Sequence, residues 1–148
     1  MVSRTRDGTF QLRIGDDERD LLASLAGQLR ELLVGDQTDG LERLFPPGYA
    51  NDPDREQEYQ QLTHDELLTK RLASVDILEQ TVNETRLDED QLNAWMGAVN
   101  DLRLVLGTRL DVTEDMDIEL DDPRASAFAV YQYLTHVLAE IVNALGGY

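Results

Sequence analysis

The densest group of ionisable side chains lies between Asp111 and Asp122, where seven carboxylates occur without any Lys or Arg. Acids at alternate positions from Asp115 to Asp121 match the 1-3-5-7 ligand offsets of an EF-hand calcium loop. Position six is Leu120, where that loop needs Gly, and position twelve is Ser126, where it needs a bidentate Glu. We therefore predict an acidic loop over 111–122 and no metal site.

The whole chain is acidic, with 30 Asp and Glu against 13 Lys and Arg in 148 residues and a net charge of −17. Duplex DNA and membrane surfaces are also negatively charged, so direct binding to either is excluded. Complementary charge favours a basic protein partner, and the acidic loop is a candidate surface for it. The candidate contact residues of the loop are Glu114, Asp115, Asp117 and Glu119.

No other side chains have the spacing of an active site. The chain has no cysteine, which excludes disulfides, thiol nucleophiles and cysteine metal ligands. His136 and Glu140 lie four residues apart, but the Glu-x-x-His motifs of di-iron bundles are absent. The nucleophile elbow, the phosphate-binding glycine loop and the dinucleotide fingerprint are absent too. We expect no catalytic residue, no cofactor and no metal, and so a protein that is not an enzyme.

The first 14 residues predict a β-hairpin. Asp7-Gly8 is a favoured two-residue turn, and Phe10, Leu12 and Ile14 alternate with polar residues. If Arg6 pairs with Thr9, three arginines share the polar face: Arg4, Arg6 and Arg13. We favour an arrangement in which this basic face covers the chain's own acidic loop. The alternative is that it contacts a partner or a second copy of the chain, so a homodimer is possible.

Five segments between residues 16 and 146 show helical spacing. They begin at Asp16, at about Leu41, at Thr63 with a capping box to Glu66, near Asp88, and at Pro123. The last is apolar nearly all round and is predicted to be the central helix. We expect a mainly α protein, a single-domain bundle of about five helices over 1–148 with an N-terminal β-hairpin. No signal peptide or spanning segment is apparent, which predicts a cytoplasmic protein.

A polar run, Asn100-Asp101-Leu102-Arg103, interrupts the apolar pattern of the predicted helix that also contains Trp95. Polar groups at such positions are buried, and an unpaired buried group costs about 1–3 kcal/mol. We therefore predict a structural network in which Arg103 pairs with a carboxylate. The alternative, a ligand site, is less favoured because buried networks commonly fix the register of packed helices.

The run from Asn93 to Gly107 resembles the signature of an actinobacterial family of initially unknown function that includes the oxidative-stress regulator AosR. Val130 to Thr135 and Leu41 to Pro46 resemble two further motifs of that family. Residues that carry the resemblance and belong to the predicted network are Trp95, Asn100, Asp101, Arg103 and Tyr131. The resemblance extends over nearly the whole chain.

This resemblance implies a non-enzymatic transcription coregulator that partners a stress sigma factor. The alternative that it leaves open is an acidic adaptor or scaffold of the Clp protease system, because family genes tend to lie beside a Clp adaptor gene. The family's redox response is attributed to a cysteine pair, and this chain has no cysteine. Thiol redox sensing is therefore not expected here.

Overall fold

The computed structural model describes the backbone of residues 1–35, 53–110 and 122–146, with side chains from 65 onward in the second range and up to 108. In this part of the chain the elements are β1 (Val2–Arg4), β2 (Phe10–Leu12), α1 (Asp16–Val34), α2 (Pro53–Thr81), β3 (Arg86–Leu87), α3 (Glu89–Leu110) and α4 (Ala125–Leu145). The predicted mainly α fold with an N-terminal hairpin is confirmed. The predicted segment near Leu41 and residues 111–121 of the acidic loop lie outside the described residues.

The hairpin loop is wider than predicted. It has three residues, Arg6 to Gly8, instead of two. The Thr5 N–H donates to the Thr9 carbonyl over 2.9 Å, and Gly8 alone has a positive φ, of 84°. The Asp7 carboxylate accepts the Thr9 N–H over 3.1 Å and both threonine hydroxyls, and these hydrogen bonds lower the pKa of Asp7. The side chain of Asp7 therefore stabilises the wider loop.

The wider loop shifts the strand register by one residue. Arg4 pairs with Phe10 instead of Gln11, so its side chain lies on the core side of the sheet. The prediction that Arg4, Arg6 and Arg13 share one exposed face is therefore wrong for Arg4. A short strand that was not predicted, β3, pairs antiparallel with β2 and gives the sheet order β1-β2-β3.

Helix α2 begins ten residues earlier than predicted, at Pro53 instead of Thr63. Proline suits the first helical turn, where its missing N–H has no intrahelical acceptor to lose. Thr63 lies inside the helix, so the predicted capping box with Glu66 is wrong. The helix ends at Thr81, where two turn residues lead toward β3.

The central helix is α3, and the prediction that the last helix is central is wrong. Helix α3 contacts α1, α2 and α4, and its buried residues face more than one side. Those residues are Leu92, Ala94, Trp95, Ala98, Val99, Asp101, Leu102 and Val105. Helix α4 buries one stripe only, which consists of Leu134, Val137, Ile141 and Ala144. Its opposite side reaches the surface, where Val142 is 48% exposed.

Candidate interaction site

The polar run of α3 contains a buried ion pair. The side chain of Asp101 is 4% exposed, and its carboxylate accepts a hydrogen bond from Nη1 of Arg71. Arg71 belongs to α2, and its side chain is 22% exposed. Burial raises the pKa of Asp101, and the adjacent Arg71 guanidinium opposes that rise without cancelling it. The pair therefore joins two helices, and Arg71 is a member of the network that sequence reasoning missed.

Arg103 bonds to a different group from the one predicted. Among the described residues its Nε donates to the Thr135 hydroxyl of α4 over 2.9 Å, in place of the expected carboxylate. Its guanidinium lies 5.2 Å from the centroid of the Tyr131 ring, in a cation–π contact. Arg103 and Tyr131 therefore connect α3 to α4. Asn100, which lies between Trp95 and Arg103 on α3, is half-buried.

Trp95 makes the third polar contact of α3 with a neighbouring helix, a hydrogen bond to α2. Its indole Nε1 donates to the Thr81 hydroxyl over 2.7 Å, and that hydroxyl donates to the Ile77 carbonyl over 2.6 Å. Trp95 is 1% exposed and Thr81 is 6% exposed. The indole N–H is therefore satisfied in the core by the last residue of α2.

The three hairpin arginines have different surroundings. Arg4 lies 5.2 Å from the Phe10 centroid and donates through Nη2 to the Leu145 carbonyl over 2.9 Å and the Ala144 carbonyl over 3.3 Å. It thus satisfies carbonyls at the end of α4, a helix without a basic residue in its last turn. All three arginines are exposed, but Arg4 lies on the Phe10 side of the sheet and Arg13, next to the buried Leu12, lies on the opposite side. The structure therefore does not bring the three arginines together on one surface.

Arg19 bonds to the turn that follows α2. Its Nη1 donates to the carbonyls of Val82 and Glu84, the latter over 2.9 Å. Arg86 of β3, which sequence reasoning also missed, pairs with Asp7 over 3.1 Å on the sheet surface. Both contacts join segments more than 60 positions apart, so no local sequence pattern could have indicated them.

Within the described side chains, no group of three or more His, Asp or Glu residues is placed to hold a metal ion. His136 Nε2 and Glu140 Oε1 of α4 are 3.8 Å apart and lie at the surface. The candidate contacts Glu114, Asp115, Asp117 and Glu119 lie outside the described residues. No helix in the described ranges is long and apolar enough to cross a membrane.

Residues 1–145 match a family described as a domain of unknown function, DUF2017. The chain belongs to this family. Curated relatives include the oxidative stress regulators AosR of Mycobacterium bovis and Mycobacterium tuberculosis, each 39% identical over 84 residues. A putative oxidative stress regulator AosR of Mycobacterium leprae is 37% identical over 73 residues, which are 48% of this chain and 34% of that protein.

The match to the first two relatives covers 53% of this chain and only 38% of their length. The predicted resemblance to the family that includes AosR is confirmed by the family match and by these relatives. No solved structure is significantly similar to the chain. The fold of this chain provides the geometry of the family domain. The relatives are longer and contain further sequence.

Thr81→Val should destabilise the protein by about 1–3 kcal/mol, because the Trp95 N–H would remain buried without its acceptor. Trp95 is the only tryptophan, so its fluorescence in urea unfolding reports this loss directly. Thr69→Val is the matched control, since the exposed Thr69 hydroxyl makes the same kind of bond to a carbonyl four residues earlier. Equal effects of the two substitutions would contradict a special role for the Trp95 bond.

Arg71→Met should cost about 3–5 kcal/mol at neutral pH, because it leaves the buried Asp101 carboxylate without its counterion. The folded-state pKa of Asp101 is raised above 3.8, so folding is favoured at low pH and that advantage is lost as pH rises through the folded pKa. Removing Arg71 takes away the charge that opposes this rise, so the Asp101 carboxyl of the variant becomes neutral at a higher pH than in the native chain. The cost of Arg71→Met should therefore shrink under mildly acidic conditions. Urea unfolding at neutral and at mildly acidic pH tests this prediction. The double variant Arg71→Met, Asp101→Leu should recover most of the stability that Arg71→Met loses. A cost independent of pH would contradict the assignment.

Arg4→Ala should lower stability by about 1–2 kcal/mol, because the carbonyls at the end of α4 lose a cationic donor and Phe10 loses a stacked group. Arg13→Ala is the control, since Arg13 is equally exposed but donates to the Gln11 side chain at the surface instead of to a helix end, so its loss should stay within about 0.5 kcal/mol. Thermal unfolding measures both. If Arg13→Ala costs as much as Arg4→Ala, the capping role is wrong.

Proposed function

We propose that this chain is a non-enzymatic regulatory domain that binds a basic protein of the transcription machinery, with a stress sigma factor as the candidate partner. The observation that carries the proposal is the family match over 1–145 together with regulators named for oxidative stress among its relatives. The net charge of −17 supports a basic partner over nucleic acid. A second copy of the chain is a further candidate partner.

One end of the helical fold gathers exposed acids. The first turns of α1 and of α3 are acidic, and Arg19 fastens α1 to the carbonyl of Glu84, just before β3. The exposed acids in these segments are Asp16, Asp17, Asp20, Glu84, Asp88, Glu89 and Asp90. We call this group the acidic end. Such a concentration of negative charge speeds the approach of a basic partner and loses that effect as salt rises.

The two described residues that are both polar and buried, Thr81 and Asp101, have structural roles, which supports a binding domain over an enzyme. Asp101 is neutralised by Arg71, and the Thr81 hydroxyl is occupied by Trp95 and Ile77. The chain has no cysteine, so any response of these 148 residues to oxidants has to use chemistry other than a thiol pair.

Affinity capture from an actinobacterial lysate tests the proposal. We expect a sigma factor or RNA polymerase to be retained at low salt and released at high salt. Recovery of Clp components without a sigma factor or polymerase would instead support the acidic adaptor and would refute the proposed role.

A charge-neutralised variant locates the binding surface. Asp17→Asn, Asp20→Asn and Asp90→Asn together should weaken capture by about tenfold or more, since each exposed pair contributes roughly 0–1 kcal/mol. The matched control removes three exposed charges elsewhere, with Glu31→Gln, Asp65→Asn and Glu66→Gln. Equal losses in both variants would show that net charge, and not the acidic end, recruits the partner.

A further inference from the structure

We draw no further inference here: the strongest candidate, the outer edge of strand β1 in the sheet order β1-β2-β3, carries nothing, because Arg4 and Arg6 disfavour a basic strand there, the net charge of −17 disfavours an acidic one, and nothing in the described part of the chain shows what covers that edge.

Discussion

The scarcity of positive charge is the constraint on which the rest of the structure depends. Thirteen basic residues serve a chain with 30 acids. Six of the described arginines join segments distant in sequence, namely Arg4, Arg19, Arg30, Arg71, Arg86 and Arg103. The helices that end at Thr81 and Leu145 have no basic residue in their last turns. Arg4 donates to the final carbonyls of α4, and Arg19 donates to the carbonyls of Val82 and Glu84 in the turn that follows α2. A guanidinium suits this task because its planar donors reach two carbonyls at once.

Using arginine on backbone carbonyls also determines what remains at the surface. An arginine that donates to backbone carbonyls does not neutralise a carboxylate, so the acidic end keeps its negative charge. Four described arginines do pair with carboxylates. Arg71 holds the buried Asp101, which requires a counterion. Arg30 pairs with Asp76 and with Glu79, the latter over 3.0 Å, where α1 crosses α2. Arg86 pairs with Asp7, and Arg124 pairs with Asp122. None of the carboxylates in these pairs belongs to the acidic end.

The sequence predicted the features that depend on local periodicity. The 3.6-residue repeat located α1, α3 and α4 to within a few residues, and alternation with Asp7-Gly8 located the hairpin. Register was not predictable from the turn pair alone, because it depended on hydrogen bonds that Thr5 and Thr9 donate to the Asp7 carboxylate. The contacts of Arg4, Arg19 and Arg71 were not predictable either, since their partners lie 30 to 141 positions away.

Helix α4 shows where periodicity is ambiguous. Apolar residues on every side are expected of a helix that is buried all round. They are equally expected of a helix that packs one side on the core and leaves apolar side chains exposed on the other. Local pattern does not separate these cases, because burial depends on how many neighbours surround the helix. Here α3 occupies the centre and α4 lies at its side, which leaves Val142 at the surface. Candidate site residues on α3 were easier to find, since polar residues in an apolar helix require partners wherever the helix lies.

The central position of α3 has a consequence for recognition. Trp95 and Asp101 fasten it to α2, and Arg103 fastens it to α4, so its two ends are held by contacts on both flanking helices. Its first turn contributes to the acidic end, and its Arg103 contacts α4 through Thr135 and Tyr131. Surfaces held by rigid elements lose little conformational entropy on binding. The carboxylates of the acidic end therefore stand on a framework that buried contacts between helices hold in place, and a basic partner does not have to order that framework when it binds.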